Sequence, residues 1–66
     1  MAKAVRVETV RKTLAEVTGA LEDAALIAAD GQAAHDITDA RQICDRLTSA
    51  LETCLGRLQR LRRRLG

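Results

Sequence analysis

Residues 37–65 read ITDARQICDRLTSALETCLGRLQRLRRRL, and the fold turns on their apolar positions. Ile37, Ala40, Cys44, Leu47, Leu51, Cys54, Leu58, Leu61 and Leu65 follow one another in alternating steps of three and four without a slip. Such spacing predicts one long amphipathic helix whose apolar stripe has to be covered by other helices.

A second stripe lies upstream at Val7, Val10, Leu14, Val17, Leu21, Ala24 and Ala28, predicting a first helix from about residue 2 to about residue 29. Between the stripes stand Asp30 and Gly31, where a glycine can take the left-handed conformation that closes a helix C-terminus. Asp36 fits as the N-cap of the second helix, with Asp39 three places on as an imperfect capping-box partner, since the box prefers Glu or Gln. The turn is placed at about 30–35 and the second helix at about 36–65, although Ala33 keeps phase with Ile37 and would allow the helix to begin as early as Gln32. Residues 1–66 form a single helical-hairpin domain on this reading.

The composition agrees. There is no proline and no aromatic residue, while alanine, leucine, arginine and aspartate dominate, and no strand is expected. At 66 residues a chain buries too small a share of its surface to be comfortable alone. A disulfide is not the expected supplement, because Cys44 and Cys54 sit ten residues apart on one helix, roughly 15 Å by the helical rise. Metal is not expected either, with one histidine and no CxxC or HxxxH pairing. Oligomerisation remains.

A short connection makes the two helices antiparallel. Flanking apolar residues, Ala20, Ala25 and Ile27 on the first helix and Ile43, Ala50 and Leu55 on the second, give each stripe more width than a two-stranded contact needs. The expected architecture is all-α: an antiparallel two-helix hairpin dimerising into a four-helix bundle with coiled-coil-like packing. Its interface is expected to use Val7, Val10, Leu14, Val17, Leu21, Ile37, Ile43, Cys44, Leu47, Leu51, Cys54, Leu58 and Leu61. Gly19 and Gly56 fall opposite the stripes, either as drift at exposed positions or as places where a partner backbone comes close.

Charge is segregated along the chain. Residues 19–45 carry Glu22, Asp23, Asp30, Asp36, Asp39 and Asp45 against Arg41 alone, whereas residues 46–66 carry six arginines against Glu52. Residues 1–18 add Lys3, Arg6, Arg11 and Lys12 against Glu8 and Glu16. Folding joins the basic ends opposite an acidic turn, so two hairpins side by side prefer a head-to-tail arrangement. A two-fold axis crossing the second helix near Ser49 would bring Cys44 close to Cys54 of the mate.

Arg57, Arg60, Arg62, Arg63 and Arg64 form the strongest candidate for function, fanning over the outer face while Leu58, Leu61 and Leu65 stay in the stripe. With Lys3, Arg6, Arg11 and Lys12 beside them they suit phosphates or carboxylates, hence a nucleic-acid backbone or an acidic protein. They also suit a plain solvated helix end that complements the helix dipole and the mate's acidic turn. A net charge of only +2 argues against strong nonspecific DNA binding, and the lack of aromatics removes base stacking. A membrane surface is not expected without Trp or Phe anchors.

His35, Asp36 and Asp39 open a cluster that no further ligand completes, and Cys44 and Cys54 read as small core residues with no base at helical spacing. Ser49, Thr48 and Thr53 have no histidine in reach. Neither an enzyme nor a cofactor is expected. Leu26 lies off the stripe next to Ile27, as an ordinary exposed leucine or as part of a docking spot near the acidic end.

The hairpin assembly, with the stretch Leu51-Glu-Thr-Cys54-Leu-Gly-Arg57-Leu, resembles the Rop-type dimeric helical hairpins, small plasmid proteins that modulate RNA pairing through an outer helix face. The resemblance is architectural. The aromatic of that family's RNA-binding face has no counterpart here, so no residue role carries over. The expectation is a cytoplasmic, non-enzymatic, homo-oligomeric regulator, adaptor or inhibitor that binds a protein partner. The alternative is a nucleic-acid-binding regulator working through the arginine-rich end.

Overall fold

The structure, a computed structural model, describes residues 6–66, which form two helices packed against each other with no strand among the described residues. Helix α1 spans Val7–Gly31 and α2 spans Ile37–Leu65, joined by the five residues 32–36. The expected start of the first helix near residue 2 lies outside the described residues. With about 1.5 Å of rise per residue, 29 residues make α2 a rod of roughly 43 Å. The pair forms a flat ribbon whose principal extents are 54 × 17 × 10 Å.

The stripes facing each other are not the two read from the sequence, although they share a line with them. On α1 the covered positions run Val10, Thr13, Val17, Ala20, Ala24, Ile27 and Gly31. On α2 they run Ala40, Ile43, Leu47, Ala50, Cys54, Arg57 and Leu61, with Asp39 and Gly56 also half-buried beside the row. Val17, Ala24, Cys54 and Leu61 are buried and the others half-buried. Both rows keep the alternation of three and four that antiparallel helices need to interlock.

Gly31 meets the side chain of Ile43, and Thr13 shares a cleft with Leu61. Counting outward from these two points sets Ile27 level with Leu47, Ala24 with Ala50, Ala20 with Cys54 and Val17 with Arg57. Most of these layers contain a small residue. Short side chains let two helix axes approach toward the close end of the 8–10 Å range, and here Ala, Gly, Thr and Cys share the seam evenly with larger residues. The bulky residues are mostly elsewhere.

The turn corrects one expectation. Gly31 is not left-handed, since the only positive φ among the described residues belongs to Gly66. The helix instead tightens at its end, with the N–H groups of Gln32, Ala33 and Ala34 donating to the carbonyls of Ala29, Asp30 and Gly31 at 3.0–3.1 Å. Bonds to the third residue back are the usual way a last turn satisfies its orphan carbonyls. The reason for glycine is steric, because a Cβ there would stand 2.8 Å from Cγ2 of Ile43.

Asp36 caps α2, its Oδ1 accepting from the N–H of Asp39 at 2.8 Å. Asp39 reaches back in turn, its Oδ2 accepting from the N–H of His35 at 3.2 Å rather than from that of Asp36. The reciprocal pair thus forms one residue further out than in the usual capping box. Gly19 has nothing within 4 Å of where a Cβ would sit, and Gly56 meets only Nη1 of Arg60, at 3.5 Å, so within the hairpin neither glycine serves a close approach.

Candidate functional site

Each inward row is flanked on one side by residues four positions later: Leu14 after Val10, Leu21 after Val17 and Ala28 after Ala24, with Val7 continuing the row. On α2 the same offset gives Cys44, Leu51, Leu58 and Leu65, with Ile37 at the start. Four residues advance a helix by about 40° beyond one full turn, and on antiparallel helices facing each other that rotation carries both rows to the same side. Ala28 and Cys44 accordingly line one open, apolar groove of about 290 Å³ at the turn end, together with Gly31, Gln32, Ala40, Ile43 and Leu47.

This side carries most of the exposed large apolar residues among the described ones. Val7, Leu14, Leu21, Ile37, Leu51, Leu58 and Leu65 are all exposed, from 38% for Leu58 to 75% for Ile37. Leu55, also exposed, stands beside the same face, four positions after Leu51. Of the exposed large apolar residues among those described, only Leu26 lies away from it, and its sequence neighbour Ile27 turns inward as a half-buried residue of the hairpin seam. Leu26 therefore stands singly, which is ordinary for a surface leucine.

The opposite side is built from the residues that immediately precede Val17, Ala24 and Gly31 on α1 and Ala40, Leu47, Cys54 and Leu61 on α2, rotated the other way by about 100°. They are Glu16, Asp23 and Asp30 on α1 and Asp39, Arg46, Thr53 and Arg60 on α2. None is apolar. The hairpin is two-faced, with an apolar side and a charged side divided by the seam.

The arginines divide as well. Arg57, Arg60 and Arg64 line an open cleft of about 260 Å³ whose other walls are Thr13, Glu16 and Leu61. Arg62 and Arg63 lie with Gln59 around another opening. The expectation that all five fan over the outer face is therefore corrected: Arg57 is half-buried on the inward row, level with Val17, and lines the cleft. Arg6, Arg11 and Lys12 are exposed near the start of α1 and line neither opening, and Lys3 lies outside the described residues. Thr13 and Glu16 were not read from the sequence as part of a basic site. Their signal was the threonine interrupting an apolar row and the acid one helical turn after Lys12.

The residues expected at an oligomer interface fall into two groups. Val10, Val17, Ile43, Leu47, Cys54 and Leu61 are covered wholly or partly within the chain, whereas Val7, Leu14, Leu21, Ile37, Cys44, Leu51 and Leu58 are exposed. The two thiols, both free, separate likewise, with Cys54 buried within the hairpin and Cys44 exposed on it. Among the described residues no three His, Cys, Asp or Glu side chains gather closely enough to hold a metal ion. No helix of the described residues is long and apolar enough to cross a membrane. Comparison with family models, with curated proteins and with solved structures finds no match to this chain.

Proposed function

We propose that the chain is a non-enzymatic, obligately oligomeric helical hairpin, dimerising into a four-helix bundle, that works in the cytoplasm as a small regulator, adaptor or inhibitor by binding a protein partner. One observation carries the reading: a row of large apolar residues, Val7, Leu14, Leu21, Ile37, Leu51, Leu58 and Leu65, stands exposed along one outer face, while half of the hairpin's own seam is made of small residues. Contiguous apolar faces of this kind belong to interaction surfaces. The charged face and the arginine cleft remain for a second, different partner. An open cleft with three guanidiniums, one wall carboxylate and no enclosed reactive pair suits recognition of carboxylates better than catalysis.

The test combines mass measurement of the free protein with capture of partners from source cells. A dimer that captures a stoichiometric acidic protein, lost on replacing Arg57, Arg60 and Arg64 with glutamine, supports the reading. A monomer with concentration-independent melting overturns it.

A nucleic-acid backbone is the second reading, favoured by the five arginines gathered at one end of α2. Affinity for duplex RNA or DNA that falls steeply with salt, and collapses in the variant with Arg60, Arg62, Arg63 and Arg64 changed to glutamine, would put this reading first. If those changes weaken the dimer instead, the arginines are structural.

A further inference from the structure

We infer that the apolar face is covered by a second copy of this chain lying antiparallel to the first, α1 over α1 and α2 over α2, with the Leu21–Leu51 rung at the two-fold axis. The inference rests on the dimer proposed above and adds which face is used, in which sense and in which register. Three observations converge on it.

Area comes first. The chain exposes 5631 Å², against about 4,100 Å² for a compact folded monomer of 7.2 kDa. The surplus of roughly 1,500 Å² is larger than the about 800 Å² that one partner contributes to a standard interface.

Shape comes second. The register of the hairpin sets the face out in rungs: Ala28 with Cys44, Leu21 with Leu51, Leu14 with Leu58, and Val7 with Leu65, while Ile37 stands alone by the turn. Leu21 and Leu51 are at the middle of this ladder. A two-fold axis across it there, lying in the face, returns each rung to its mirror position: Leu14 and Leu58 lie over the partner's Ala28 and the partner's Cys44, and Leu65 lies over the partner's Ile37. Large side chains meet small ones, as interdigitating layers require. The axis near Ser49 that would join Cys44 to Cys54 does not survive, because Cys54 is only 4% exposed and packs within its own hairpin.

Charge decides the sense. A parallel dimer would also stack the two faces, but it would set arginine end on arginine end and acidic turn on acidic turn. The antiparallel one sets Arg57, Arg60, Arg62, Arg63 and Arg64 at the level of the partner's acidic turn. It also leaves the charged faces outward, so each dimer carries two arginine clefts at opposite ends.

Cross-linking tests this. In the antiparallel dimer α2 meets its own copy near Leu51, so a Cys44→Ser, Leu51→Cys protein should form a covalent dimer on mild oxidation. In a parallel dimer Leu51 would lie over the partner's Leu21 and never meet itself. Leu58→Cys with the native Cys44 retained should also link, through the introduced thiol and the partner's Cys44, and serves if the first variant fails to fold. Leu26→Cys is the off-face control and should stay unlinked. A protein that is dimeric by mass, yet links at Leu26→Cys and at neither of the other positions, overturns the arrangement while leaving the dimer. A protein monomeric by mass at every concentration overturns the dimer itself.

Discussion

Gly31 and Ile43 are in contact across the hairpin so closely that a Cβ on Gly31 would stand 2.8 Å from Cγ2 of Ile43. That methyl is a branch at Cβ of a residue held in essentially one rotamer within a helix, so it cannot swing aside. Gly31→Ala is expected to destabilise the fold by about 1–3 kcal/mol through overpacking, despite the gain of up to about 1 kcal/mol in helix propensity. Denaturant melting checks this. Combining it with Ile43→Ala should be markedly non-additive, because the clash disappears with the methyl.

Gly19 makes the opposite case. Nothing lies within 4 Å of the position its Cβ would take, and it is in the middle of α1. Gly19→Ala should stabilise by about 0.5–1 kcal/mol, raising the melting midpoint with no change in oligomeric mass.

Asp36 holds the start of α2 through its bond to the Asp39 N–H. Asp36→Ala should cost about 0.5–2 kcal/mol, and Asp36→Ser should recover most of that loss. Hydrogen exchange at Asp39 reads the effect locally, as the amide that loses its acceptor.

Leu21 and Leu26 are both exposed leucines of α1, one on the apolar face and one off it. Replacing either with aspartate loses the same helix propensity, at most about 0.7 kcal/mol, so the difference between the variants isolates the face. Leu21→Asp should weaken association by at least about 3 kcal/mol per dimer, since two leucines leave the contact. Leu26→Asp should leave the dimer intact. Sedimentation equilibrium of the two proteins checks the pair, and equal association would remove Leu21 from any interface.

Arg57 sits on the inward row, so its aliphatic stem is expected to matter more than its charge. Arg57→Ala should cost on the order of 1 kcal/mol, at low and high salt alike. Arg62→Ala, at an exposed position, should stay within about 0.5 kcal/mol.

Much of the fold could be read from spacing alone, including two helices, the turn between them and Asp36 as the cap. The shared line through Val10, Val17 and Ala24, and its counterpart through Ala40, Leu47, Cys54 and Leu61, was also legible. What could not be read was which neighbouring line faces the other helix. Apolar periodicity favours the line with the larger residues, Leu14 and Leu21 or Leu51 and Leu58, whereas two helices joined by a five-residue turn pack on the line with the smaller ones. Thr13 and Arg57 hid in that choice because neither counts as apolar. Gly31 misled for a related reason: next to a turn, a glycine chosen for lack of bulk looks like one chosen for its backbone freedom. The arginine end was legible as a cluster, but its division into a trio lining a cleft, with only Arg57 on the inward row, and an outward pair depended on the same choice of line.

The placement of large apolar residues on an outer face has a consequence for dosage. In the proposed dimer the exposed leucines are covered by a second copy, so part of the hairpin's stability would come from encounters with its own kind and would scale with how many copies are present. On that proposal the architecture carries a threshold: scarce, the chain would open more often to proteolysis; abundant, it would assemble and persist.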